Sequence, residues 1–98
     1  MKNDIKEILN RLSMPANGRY ENHFYVIDLQ DSDEYGRAYT KLTKVAIDTE
    51  YPSFGKNSSN NTTKVTNYFE IDVNSITYPI FLVADFDTDT YRIKIGGQ

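Results

Sequence analysis

The sequence predicts an α+β fold in which one N-terminal helix packs on a curved antiparallel sheet of about five strands. Apolar residues recur with a helical period near the N-terminus, and from Tyr20 onward they recur at every second position. Only one connection between the β patterns is long enough for a parallel crossover, so the strands are expected to pair antiparallel. With 98 residues, 39% of them hydrophobic and 26% charged, the chain is expected to be a single domain, 1–98. A domain of this size buries roughly 60–68% of the surface its unfolded chain exposes, which leaves little area for a deep internal pocket.

Ile5, Ile8, Leu9 and Leu12 stand at i, i+3, i+4 and i+7 and make one apolar stripe. Asn3 is placed to cap this helix, Asp4 and Glu7 lie near the positive end of its dipole, and Arg11 near the negative end. Ser13-Met14-Pro15 ends it, because proline disfavours helical geometry in the residue before it, and Asn17-Gly18 turns the chain. Residues 23–29 (HFYVIDL) read as the first strand, closed by the polar loop QDSDEYG. From Tyr20 onward tyrosine, threonine, valine and isoleucine set the texture, and residues 37–48 (RAYTKLTKVAID) read as a second strand long enough to bend or carry a bulge.

The segment 49–63 holds Gly55 and a run of Asn, Ser and Thr, too polar to order itself by burial, and reads as a mobile loop. Residues 64–73 alternate, with Val65, Phe69, Ile71 and Val73 on one side; Asn67 breaks the pattern. Residues 76–85 (ITYPIFLVAD) are apolar on both sides, the mark of a covered strand, whereas Pro79 argues for an edge or a bulge. Residues 90–95 set Tyr91, Ile93 and Ile95 against Arg92 and Lys94.

Composition removes several chemistries. Without cysteine there is no disulfide, thiolate zinc site, iron–sulfur cluster or thiol nucleophile. No apolar run suits a signal peptide or a membrane span, which makes the cytoplasm the expected compartment and a membrane an unexpected partner. A net charge of −3 disfavours direct nucleic-acid binding. The surviving version of that idea is a single-stranded binder using Arg37, Tyr39 and Lys41, a basic–aromatic alternation on one strand face.

The acidic residues carry the remaining chemistry. Asp85-x-Asp87-x-Asp89 matches the opening of a calcium-binding EF-hand loop, but Thr90 stands where that loop needs glycine and Gly96 where it needs glutamate. A hairpin turn between two strands accounts for the three aspartates. Asp28, Asp31, Asp33 and Glu34 form a second acidic group, and were the two groups to meet, a metal-dependent hydrolase would become an alternative. His23 is the only histidine, no serine has the context of a nucleophile, and the five glycines are scattered. No catalytic residue, metal ligand or cofactor is therefore assigned, and the expected class is non-enzymatic.

Eight tyrosines favour a contact role, since tyrosine supplies rigid area with a polar end. The expected partner-binding residues are Asp31, Asp33, Glu34, Asp85, Asp87 and Asp89, together with Tyr35 and Tyr39. Carboxylates two residues apart on an extended segment repeat at about 6.8 Å, close to the spacing of successive phosphates. Such a surface suits the basic channel of a nucleic-acid-processing enzyme. In size, acidity, lack of cysteine and lack of catalytic motifs the chain resembles the small anti-restriction and anti-CRISPR inhibitors of phages and mobile elements. The resemblance, one of size and composition, implies an accessory or inhibitory protein that binds a host protein. Nothing in the sequence sets the oligomeric state.

Overall fold

The apolar stripe at the N-terminus folds as a helix. In the computed structural model, which describes residues 3–45 and 64–96, helix α1 spans Asn3–Arg11 and buries Ile5, Ile8 and Leu9, with Leu12 just beyond it. Its exit is a Schellman turn: Met14 N–H donates to the Leu9 carbonyl (2.9 Å), Ser13 N–H to that of Asn10 (3.1 Å), and Ser13 takes the left-handed conformation at φ 53°. Both ends of α1 are tied to the sheet. Asp4 accepts hydrogen bonds from Tyr78 Oη and Asn74 Nδ2, and Arg11 Nη1 donates to the Asp72 carbonyl at 3.0 Å.

The remaining elements are β1 (Arg19–Glu21), β2 (Phe24–Leu29), α2 (Ser32–Val45), β3 (Lys64–Val73), β4 (Ile76–Asp85) and β5 (Thr90–Ile95). The strands form one antiparallel sheet in the order β1-β2-β5-β4-β3, so β5 lies between two strands from distant parts of the chain. Two hairpins turn on two residues each, Asn22-His23 and Asn74-Ser75. All four residues have positive φ, between 50° and 71°, the geometry that matches the twist of the flanking strands. His23 thus belongs to a turn rather than to the strand that follows it.

The largest departure from the sequence-based expectation is α2. Residues 32–45, expected as a polar loop running into a strand at 37, form one helix; positions 46–48 and the expected loop 49–63 lie outside the described residues. The physical reason is a second helical stripe: Tyr35, Ala38, Leu42 and Val45 follow one another at steps of three, four and three. Ala38 and Leu42 are fully buried against the sheet, and Tyr35 and Val45 pack at the margin of the same core. Local β propensity is worth less than burying that stripe. Gly36 sits on the exposed side, and a Cβ there would meet nothing within 4 Å. Gly36→Ala is accordingly expected to stabilise the protein by about 0.5–1 kcal/mol, read as a raised urea midpoint.

Both helices cover the same face of the sheet. Beneath them lie Ile27 of β2, Ile93 and Ile95 of β5, Leu82 of β4 and Ile71 of β3, all buried. Asn67, the break in the apolar alternation of β3, points to this side and donates from Nδ2 to Tyr35 Oη at 2.8 Å, so a polar side chain in the layer has a partner on α2. The opposite face has its own aromatic strip, with the Phe81 ring 5.8 Å from Phe24 and 5.1 Å from Tyr68, which explains why β4 is apolar on both sides. Pro79 fits within this inner strand because the ladder ends there. Its carbonyl accepts Gly96 N–H at 2.8 Å, just past the last β4–β5 pair, Ile80 with Ile95.

Candidate functional site

The register fixes which loops share an end of the sheet. Leu29 pairs with Tyr91, Asp85 with Thr90 and Lys64 with Asp85. The exit of β2, the turn 86–89 and the entry to β3 therefore lie together, and only Gln30 and Asp31 separate β2 from α2. Both acidic groups of the sequence meet at this end.

On the α2 side, Asp31 is the N-cap. Its Oδ1 accepts Glu34 N–H at 2.9 Å while its carbonyl accepts Tyr35 N–H at 3.2 Å, and Glu34 Oε1 reaches back to Gln30 N–H at 2.8 Å. This is a variant of the capping box, in which the D-x-x-E glutamate reaches the N–H of the residue before the N-cap, and its carboxylates sit where the dipole favours negative charge. Asp33 projects into solvent in the first turn. Asp31→Ala is expected to cost about 1 kcal/mol, whereas Asp31→Asn, an equally good cap without the charge, should leave the thermal midpoint nearly unchanged.

On the hairpin side, Asp85 Oδ1 accepts the N–H groups of Asp87 (3.1 Å) and Thr88 (3.4 Å), so this side chain organises the turn. Asp89 takes a left-handed conformation at φ 54° and accepts Tyr91 Oη at 3.1 Å. Residues 86–89 are thus a turn and not an extended segment, and the 6.8 Å carboxylate repeat expected of a strand does not apply to them. Among the described residues, no three carboxylate or imidazole side chains are grouped to hold a metal ion.

Aromatic rings join the two acidic segments. Tyr91 is buried at the boundary, with its ring 5.8 Å from that of Tyr35 on α2 and 6.1 Å from that of Phe86 in the turn. Burial pushes its phenol above the ordinary tyrosine range, reinforced by the bond to Asp89 and by the negative charges of Asp89 and Asp31. Burial raises the Tyr35 phenol as well, opposed by the bond from Asn67. Phe86, 57% exposed, stands among the carboxylates as a solvent-facing apolar side chain.

Of the eight residues expected to bind a partner, seven lie at this end. Tyr39 does not: it sits further along α2, its ring edge-on to Phe69 of β3 at 5.7 Å. Arg37 and Lys41, one helical turn apart, share a side of α2 from which Tyr39 is turned well away, and Lys41 Nζ donates to the Ser13 carbonyl at 3.3 Å. The basic–aromatic strand face expected of a nucleic-acid binder is therefore not formed by these residues. Arg92 is also engaged, at 2.9 Å from Asp28, which Arg19 approaches to 2.7 Å. Sequence reasoning missed Phe86 and Tyr91 as site residues, although both flank the aspartates it singled out. A cleft between the 14–17 segment, the end of β2 and the first turns of α2, bordered by Met14, Leu29, Glu34 and Arg37, holds about 180 Å³, below the roughly 300–1,000 Å³ of small-molecule sites.

By class the chain is a small α+β protein with two helices on one face of an open antiparallel sheet and a carboxylate-rich, aromatic-centred end. In comparisons with known proteins no family model, no curated protein and no solved structure matches it. No helix among the described residues is long and apolar enough to cross a membrane.

Proposed function

We propose that this chain is a non-enzymatic binding protein that docks the acidic end of its sheet onto a basic surface of a host protein in the cytoplasm and thereby inhibits or modulates it. The reading is carried by one observation: Asp31, Asp33, Asp85, Asp87 and Asp89 share a single end of the sheet with an exposed aromatic, Phe86. Clustered charge speeds encounter and selects the partner, while an apolar ring that becomes buried on contact supplies affinity. A phage or mobile-element inhibitor of a nucleic-acid-processing enzyme fits this description, through charge complementarity rather than through a phosphate-like repeat.

The test uses Asn replacements, because Asn preserves the cap at position 31 and the turn bonds at position 85. Asp31→Asn, Asp33→Asn, Asp85→Asn and Asp87→Asn combined are expected to keep the melting temperature and to lose the partner that the unaltered protein retains from source-cell lysate. Phe86→Ala alone is expected to weaken the isolated complex by about 2 kcal/mol, measured by calorimetry. Retention of the partner by the fourfold variant at unchanged yield removes the acidic-surface mechanism.

A further inference from the structure

The two edges of the sheet are unlike. β1 is three residues long and carries Arg19 and Glu21, the short and charged form that resists pairing with another chain. β3 closes the other edge with ten residues in unbroken register against β4, from Lys64 opposite Asp85 to Val73 opposite Ile76. It has no proline and no bulge, and its charges are few, Lys64 at its start and Glu70 and Asp72 in its second half. Among the described residues no strand lies on its outer side. A long, regular edge of this kind is a template for strand addition.

We infer that the occupant of this edge is a second copy of the same chain, paired β3 to β3 antiparallel about a twofold axis perpendicular to the sheet. The charge pattern of the strand argues for it. With the axis at position 68, Lys64 of each copy faces Asp72 of the other and Thr66 faces Glu70 on the open side. On the helix side Val65 faces Ile71 and Asn67 faces Phe69. The single lysine of the strand meets a carboxylate twice, and no like charges are opposed. A parallel arrangement in register would instead set Lys64, Glu70 and Asp72 each against itself. Even parity between partners keeps the pleat, so the helix layers of both copies stay on one face of a continuous ten-stranded sheet. Tyr39, 43% exposed and packed on Phe69, lies on the helix layer above this edge and adds apolar area beside the seam.

The pairing makes a charge-exchange experiment possible on the full chain. Sedimentation velocity is expected to show a two-chain species for the unaltered protein at tens of micromolar. Asp72→Lys opposes lysine to lysine twice, Lys64→Asp opposes aspartate to aspartate twice, and each variant alone is expected to dimerise at least about tenfold more weakly. Mixed in equal amounts, the two variants are expected to recover the dimer, because each then meets the opposite charge at both contacts. Circular dichroism shows whether each variant remains folded. A single-chain mass for the unaltered protein up to about 1 mM, the concentration scale of weak association, a dimer indifferent to both substitutions, or folded variants that fail to recover on mixing would overturn the assignment.

Discussion

Leu42→Ala is expected to lower the free energy of unfolding by about 2–5 kcal/mol, the range for removing a fully buried leucine whose cavity the surroundings only partly fill. Leu42 is 0% exposed and lies midway along the inward stripe of α2, in the core between helix and sheet. Since each kcal/mol shifts the midpoint of a domain this size by roughly 4–8 °C, the thermal transition followed by circular dichroism should fall by about 8 °C or more. Lys44→Ala, on the exposed side, should move it little. The contrast separates helix from strand at this point of the chain: in a strand, Leu42 and Lys44 would share one face and respond alike.

Gly18→Ala is expected to cost about 1–3 kcal/mol by overpacking, the opposite sign from Gly36→Ala. A Cβ at Gly18 would stand 2.3 Å from the Val26 carbonyl oxygen and 2.9 Å from both Ile27 Cγ1 and Tyr25 Cε2. The first of these contacts is backbone in β2, which is held by β1 and β5 and cannot turn aside as a side-chain tip can. Relief requires withdrawal of the 17–18 segment, and with it loss of the 2.9 Å bond from Gly18 N–H to Tyr25 Oη. A urea titration of the two alanine variants beside the unaltered protein provides the comparison, and a Gly18→Ala midpoint at or above that of the unaltered protein would contradict the close approach.

The parts of the fold that could be read from residues alone are those where one period dominates. α1 has its stripe and its caps, and β3, β4 and β5 fall on the segments 64–73 and 90–95, which alternate, and 76–85, which is apolar on both sides. The second helix was misassigned because its stripe is built from Tyr35, Ala38, Leu42 and Val45, set among threonines and tyrosines whose local preference points to strands. The helix start was nevertheless written in Asp31-Ser32-Asp33-Glu34, a variant capping box that composition made look like a charged loop. β1 has three residues, too few for any periodicity.

The site was legible in kind but not in place. Charge and turn propensity identified the aspartates, yet their convergence depends on β2 pairing with β5, a relation between segments more than sixty positions apart: Leu29 pairs with Tyr91. No local pattern encodes that distance. Tyr39 was assigned to the same surface on composition, and the helix carried it away toward β3. Asn67 looked like an error in an alternating strand because its partner, Tyr35, is contributed by an element that had not been recognised.

The central position of β5 bears on how the chain assembles as it is made. β1, β2 and α2 leave the ribosome as one piece and the β3–β4 hairpin as another, and no strand pairing joins the two pieces. Only when residues 90–95 emerge can Tyr25 through Leu29 be zipped to one side of them and Ile80 through Asp85 to the other. Closure of that last gap carries the long sequence separations that slow folding, and until then the facing edges of β2 and β4 are open to chaperones and to neighbouring nascent chains.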